Sequence, residues 1–250
     1  MSGHNKWAKI KRKKGVTDTK RGRIFTRIIK EMTIAARDGG GNPQGNPRLR
    51  LAIEKAQAAN MPADNIKRAI QKGTGELPGV AYEEVTYEGY GPGGIALIIE
   101  SVTDNKNRTV AEVRHLLDKY NGKFGAANSV SWMFHRKGLM YVQKSSFDED
   151  KLLDIILEAG ADDMKSDDEL YEIITAPENF TTVKQTLESK GIKLENAEIQ
   201  LIPENTVRVE GKEAEQVLKL VEALEDHEDV QHLYTNFDID EKVLATFNAE

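Results

Sequence analysis

Six of the first fifteen residues, MSGHNKWAKIKRKKG, are Lys or Arg (Lys6, Lys9, Lys11, Arg12, Lys13 and Lys14), and none is Asp or Glu. Cations at that density suit a sugar-phosphate chain, because each phosphate they neutralise releases counterions. Trp7 sits among them with two roles open. Its ring can stack on an unpaired base, or it can tuck onto the folded domain behind it. The cationic pattern continues past Asp18. Lys20, Arg23, Arg27, Lys30 and Arg37 share one helical arc, and Ile24, Phe25, Ile28, Ile29, Met32 and Ala36 share the opposite one. Arg48 and Arg50 follow on the next element. The nucleic-acid contacts expected from residue type and spacing are therefore Lys6, Trp7, Lys9, Lys11, Arg12, Lys13, Lys14, Lys20, Arg23, Arg27, Lys30 and Arg48. A membrane surface suits the arm less well, since the arm has no apolar face to insert, and no membrane partner is expected.

Other chemistry finds little support. Gly89-Tyr-Gly-Pro-Gly-Gly94 matches G-x-G-x-x-G, but a dinucleotide site needs that loop between a strand and a helix. Here a strand follows, and Pro92 suits a hairpin turn. The five histidines, at 4, 115, 135, 227 and 232, are dispersed and form no ligand spacing. Carboxylates cluster at Asp148–Asp150, Asp162-Asp163, Asp167–Glu169 and Glu225–Asp229, at turns and helix starts, where a solvated face accounts for them. No Ser-His-Asp set, Walker loop or metal cage stands out. No catalytic residue, metal or cofactor is expected. The rival class is an enzyme or ligand sensor working in a cleft between domains, which a deep apolar pocket with convergent carboxylates would favour.

The charge is divided along the chain. The whole protein carries 35 basic and 41 acidic residues in 250, a net of −6. Through Pro78 there are 18 basic and 6 acidic residues, a net of +12; the remainder holds 35 − 18 = 17 basic and 41 − 6 = 35 acidic, a net of −18. This is the pattern of a basic module for polyanions joined to an acidic body. That body is expected to be a scaffold or a surface for a protein partner. There is no cysteine, which excludes disulfides, thiolate metal sites and a cysteine nucleophile. The N-terminus is basic but lacks the apolar segment of a secretory signal, and no apolar run is long enough to span a bilayer. A cytoplasmic protein is expected. No dimerisation segment stands out, which favours a monomer.

The elements that must position these residues follow from periodicity. A helix from Asp18 ends at Gly39-Gly40-Gly41; a second starts at Asn46-Pro47 with cap and first-turn proline and stops near Asn60; a third runs from Pro62 to Gly73, with Lys67, Arg68 and Lys72 off its apolar stripe. Beyond the linker Gly73–Gly79, Tyr82–Glu88 alternates as a strand and IALII at 95–99 marks a buried one. A helix is expected over Asn107–Tyr120 and a strand over Val130–Phe134. Leu139–Gln143, Asp148–Ala159, Asp162–Lys165, Leu170–Thr175, Pro177–Lys190 and Glu195–Ile202 give β-α-β-β-α-β, the ferredoxin-like order. The elements after it, a strand at Val207–Val209, a helix through Val217–Leu224 and a strand at Val230–Tyr234, are expected to return to the preceding sheet. The predicted fold is α+β: an N-terminal three-helix domain followed by two α+β domains, the last inserted and ferredoxin-like. The predicted boundaries are 1–78 for the arm and helical domain, 79–136 with 205–240 for a discontinuous α+β domain, and 137–204 for the insert.

The strings GHNKWAKIK, GNPQGNPRLRLAIEKAQAANMPADNIKRAIQKGTGE, YEGYGPGGIALI and TDNKNRTVAEVRHLL closely resemble the YebC/PmpR family, over essentially the full chain and most densely through residue 136. The segment KFGAAN, at 123–128, departs from relatives, which often carry more glycine there. The resemblance implies three domains, no enzymatic activity, and a DNA-binding transcriptional regulator. It also admits an alternative, because mitochondrial relatives and some bacterial ones look like translation factors acting at the ribosome, with ribosomal RNA or tRNA as the partner.

Overall fold

A computed structural model describes Trp7, residues 18–167, 169–240, 243, 244 and 247. Three helices come first: α1 (Asp18–Gly39), α2 (Pro47–Ala58) and α3 (Ala63–Gly73). Their apolar stripes converge as the periodicity requires, with Met32, Ala35 and Ala36 of α1 against Leu49, Ala52 and Ala56 of α2, Met61, and Ala69 of α3. Small residues at these contacts let the helix axes approach closely.

Asn46 locks the α1–α2 turn. Its Oδ1 accepts from Leu49 N–H at 3.0 Å, capping α2, while its Nδ2 donates to the carbonyls of Ala35 at 2.7 Å and Gly40 at 2.8 Å. Asn46 is buried, so truncation removes a cap and strands two carbonyls. Asn46→Ala is expected to cost about 2–3 kcal/mol. Asn46→Asp should recover only the capping part; a shift in urea midpoint for each variant checks this, and equal midpoints would refute it.

The second unit is a four-stranded antiparallel sheet of order β3-β1-β2-β9, built from β1 (Glu83–Tyr90), β2 (Ala96–Thr103), β3 (Lys123–Phe124) and β9 (Val230–Thr235). The G-x-G-x-x-G stretch is the β1–β2 turn, a short 3-10 segment in which Gly93 and Gly94 take φ of 70° and 77°, a conformation that favours glycine. One face of the sheet is covered by α4 (Lys106–Lys119) and α7 (Gly211–Glu225), burying Ile95, Leu97, Ile99, Val113, Leu117, Val217 and Val221 in the largest core. The strand expected over Val207–Val209 does not join this sheet. It is the short β8 (Val207–Arg208), which pairs in parallel with β10 (Phe237–Asp238).

The third unit contains β4 (Phe134–Gln143), α5 (Glu149–Glu158), β5 (Asp163–Ser166), β6 (Leu170–Thr175), α6 (Phe180–Ser189) and β7 (Leu194–Pro203). Its sheet order, β5-β6-β4-β7, is antiparallel throughout, as the ferredoxin-like arrangement requires. The fold is thus α+β, with a helical N-terminal domain, a sheet domain and an inserted ferredoxin-like domain. The strand expected over Val130–Phe134 is absent: Ser131–Met133 is a 3-10 turn, and β4 begins at Phe134 and runs unbroken to Gln143. Phe134 at the start of β4 and Leu201 near the end of β7 pack with Ala96, Ile98, Val130 and Tyr234 on the other face of the second sheet. Among the described residues no helix is long and apolar enough to cross a membrane.

Candidate nucleic-acid interface and the charged seam of helix 1

The middle of the cationic side of α1, at Arg23, Arg27 and Lys30, is covered, while Arg37 at its end is exposed. The covered part lies against the turn that joins α7 to β9, the acidic run Glu225–Asp229. Lys30 is buried, and its Nζ donates to Asp229 Oδ1 at 2.5 Å, to Glu228 O at 3.1 Å and to Val102 O at 3.3 Å. It also lies 5.8 Å from the centre of the Tyr82 ring. Arg23 pairs with Asp226 at 2.8 Å, and Arg27 donates to His227 O at 3.3 Å. Burial pulls the Arg27 pKa down, against the opposing pull of Glu225 and Asp226. Arg48 makes a two-pronged contact with Glu31, at 2.8 and 3.1 Å, and reaches Glu84 on β1 at 2.5 Å. Paired guanidinium–carboxylate bonds of this kind are the stronger ion pairs.

Asp229 is the hub. Its side chain is almost fully enclosed, and its second oxygen accepts from Thr109 Oγ1 at 2.6 Å and Arg108 Nη2 at 2.9 Å, both on α4. Burial pushes its carboxyl up, but the hydrogen bonds from Lys30, Thr109 and Arg108 outweigh burial and hold it well below the usual carboxylate range. One carboxylate therefore joins α1 of the helical domain to α4 and to the strand that closes the sheet.

Several of the expected contact residues have partners within the protein. Arg23, Arg27 and Lys30 are bound to the protein's own carboxylates and carbonyls because the docking of α1 brings them onto the acidic turn, and Arg48, on α2, is bound to Glu31 of α1 and Glu84 of β1. Trp7 neither stacks outward nor tucks onto the helical domain. It is 1% exposed, sits in the core beneath the second sheet, lies 5.9 Å from the Phe247 ring, and donates from Nε1 to Glu225 Oε2 at 3.2 Å. Glu225–Asp229, expected to be a solvated face, is the docking surface. Lys6, Lys9, Lys11, Arg12, Lys13 and Lys14 lie outside the described residues, as does the side chain of Lys20.

A cleft of about 610 Å³ opens along this seam, lined by Arg23, Lys30, Tyr82, Arg108, Glu112 and Asp229 among others. Glu112, His227 and Asp229 bring possible ligand atoms within 4.8 Å of one another there, and these atoms already hydrogen-bond one another and their neighbours. His227 Nδ1 accepts from Asp229 N–H at 3.1 Å, which places the ring proton on Nε2, where it donates to Glu112 at 2.9 Å. With both Asp229 oxygens occupied as well, the trio reads as a hydrogen-bonded brace. A second cleft, of about 520 Å³, lies where Glu31 and Arg48, Glu100 and His232, and Arg136 meet. Neither is the deep apolar pocket an enzyme or sensor would call for.

Other cations of the helical domain remain outward. Arg50, Lys55, Lys67, Arg68 and Lys72 are exposed, and no carboxylate among the described residues lies within ion-pair distance of any of them. The position of Lys67, Arg68 and Lys72 off the apolar stripe of α3 was the signal of their exposure.

Fold and seam together define a three-part α+β protein whose basic helical domain is fastened to an acidic two-domain body by a buried ion pair. The chain belongs to the TACO1/YebC family: residues 5–76 match the TACO1/YebC protein N-terminal domain and residues 82–237 match the TACO1/YebC second and third domain. It is 55% identical over 249 residues to a "Probable transcriptional regulatory protein" of Chlorobium phaeobacteroides, covering 99% of this chain and 100% of that one. It is 57% identical over 239 residues to a protein of the same description from Geobacter sulfurreducens, covering 96% of each. A crystal structure of a conserved hypothetical protein from Aquifex aeolicus superposes with a TM-score of 0.79 at 46% identity, over 89% of this chain and 92% of that one.

Proposed function

We propose that this chain is a non-enzymatic, cytoplasmic regulator of gene expression that binds nucleic acid through its basic N-terminal part, and that it acts as a DNA-binding transcriptional regulator. The observation that carries the reading is the cationic surplus of the helical domain. The acidic turn engages Arg23, Arg27 and Lys30, yet Arg50, Lys55, Lys67, Arg68 and Lys72 remain exposed, with no carboxylate among the described residues at ion-pair distance, and the arm adds six more cations. The names of the relatives point to transcription. The arm cations and the outward faces of α2 and α3 grip phosphate, while the acidic body serves as scaffold or as the seat of a protein partner.

A second reading, a ribosome-associated translation factor that binds ribosomal RNA or tRNA, is favoured by the −18 balance of the residues after Pro78. A body of that charge repels a duplex lying along it and confines contact to one end, which suits docking on a large particle. Sedimentation of the protein with ribosomes through sucrose at low salt, with and without nuclease, separates the two. Absence from the ribosomal fractions together with a discrete footprint on DNA is the result expected for transcription. Nuclease-sensitive co-sedimentation with no footprint would replace it with the ribosomal reading, and binding to neither would end both.

A further inference from the structure

The acidic body holds one stretch without acid. Between Asp118 and Asp148 there is no Asp or Glu, while Lys119, Lys123, Arg136, Lys137 and Lys144 all fall there. At its centre Trp132 is 67% exposed, the highest value among the exposed large apolar side chains described. Exposing a Trp to that extent forgoes much of the stabilisation its burial brings.

The loop presenting it is firmly built. Glu88, buried beneath it, accepts from the backbone N–H groups of Asn128 at 2.8 Å, Val130 at 2.7 Å and Ser131 at 3.0 Å. Burial pushes this carboxyl up, but the three backbone donors prevail and hold it below its ordinary value. Gly125 allows the close approach, since a Cβ there would sit 2.5 Å from Ser129 Oγ. Two aromatic side chains then meet at one oxygen: Ser129 O accepts from Trp132 Nε1 at 3.1 Å and from Tyr90 Oη at 3.0 Å. Tyr90 is itself 36% exposed and pairs directly with Lys123 across the β1–β3 ladder. Lys123 and Arg136 are exposed, with no carboxylate among the described residues at ion-pair distance.

We propose that the loop 125–133, with Trp132 and Tyr90 at its surface and Lys123 beside Tyr90, is a stacking platform for an unpaired nucleobase of single-stranded nucleic acid. An aromatic face held by hydrogen bonds on a rigid loop loses little entropy when a base stacks on it, and neighbouring cations follow the phosphates on either side. The stretch is acid-free only along the sequence, since His135 lies 3.7 Å from Glu204 and Lys137 pairs with Asp162 at 2.8 Å, so the cation that suits this part of the body to the polyanion of the N-terminal module is Lys123. The inference rests on the reading that the chain binds nucleic acid, and it adds a second contact, specific for unpaired bases, far along the sequence from the first.

The test uses the full chain, a labelled single-stranded RNA of mixed sequence, and the same sequence as a duplex. Trp132→Ala should weaken single-strand binding by about five- to a hundred-fold and leave duplex binding unchanged, while Trp132→Phe, which keeps a ring, should retain most of the affinity. Because Trp7 is buried, emission accessible to acrylamide reports Trp132, and the single strand should shield it. Single-strand affinity unchanged in Trp132→Ala, or equal losses for single strand and duplex, overturns the platform while leaving the functional reading in place. Wild-type protein that binds neither probe overturns the platform and leaves the exposed ring to a protein partner, while the DNA reading stands or falls on the footprint.

Discussion

Asp229→Ala is expected to destabilise the docking of the helical domain by about 3–5 kcal/mol, the range for removing one partner of a buried ion pair. The asymmetry lies in what is left behind. Arg108 is 44% exposed and can turn its guanidinium to water, but the Lys30 side chain is only 8% exposed and is held beneath α1. Its remaining partners, the carbonyls of Glu228 and Val102, do not neutralise an ammonium. The chain is then expected to release α1 from the acidic turn rather than bury the charge alone. Urea denaturation should split into two transitions, and the exposed linker around Leu77 and Val80 should become more open to limited proteolysis. Lys30→Met combined with Asp229→Leu should recover much of the loss, because it removes both charges together. A single transition at the wild-type midpoint in Asp229→Ala would show that the pair does not hold the docking.

The same carboxylate sets an acid limb. The Asp229 pKa is depressed in the folded protein, so the unfolded chain takes up the proton first as pH falls. The stabilisation is fully present above the unfolded value of about 3.9 and is lost as pH drops below it towards the folded value. Stability measured downward from about pH 4 should fall more steeply in the wild type than in Asp229→Ala, and parallel curves would contradict the assignment.

How much of this was legible in the sequence depends on whether a signal is local. The apolar arc of α1, the N-cap of α2 and the continuous apolar run of β2 are signals carried within single elements, the ferredoxin-like order is a succession of such elements, and they appear where the pattern puts them. The basic arc of α1 was equally visible, but periodicity says only that a face is charged, not what it meets. Its partner is the turn at Asp226–Asp229, separated from Lys30 by 199 positions, and no local pattern connects them. Asp229 reads as one of a solvated cluster until β9 returns to β2 and draws it under α1. Trp7 misleads in the same way, since its cationic neighbours suggest an outward role while its ring fills the core. Glu88 alternates as a polar strand residue, and only the loop folded over it makes it buried. Trp132 had a readable signal, the acid-free stretch in an otherwise acidic region, hidden because an apolar run around it resembled a strand.

The position of Trp7 also decides how the N-terminal arm must be tested. Deleting residues 2–14 removes the arm's cations, but it also takes a Trp from the core, a loss of about 3–5 kcal/mol in its own right. Weakened binding by such a variant would not distinguish lost phosphate contacts from a damaged fold. Replacing Lys9, Lys11, Arg12, Lys13 and Lys14 by Gln keeps Trp7 in place and removes charge alone. If each of these cations meets one phosphate, the slope of log K against log salt should flatten by about 3.5–4.5, at 0.7–0.9 per neutralised phosphate. Between about 50 and 200 mM salt the wild type should then lose roughly a hundred-fold to several hundred-fold more affinity than the variant. The salt slope is the informative readout, because a folding defect lowers the active fraction at every salt concentration without changing the slope. A slope unchanged by the five replacements would place the grip elsewhere, on the outward cations of α2 and α3, and substituting Arg50, Lys55, Lys67, Arg68 and Lys72 in turn would locate it.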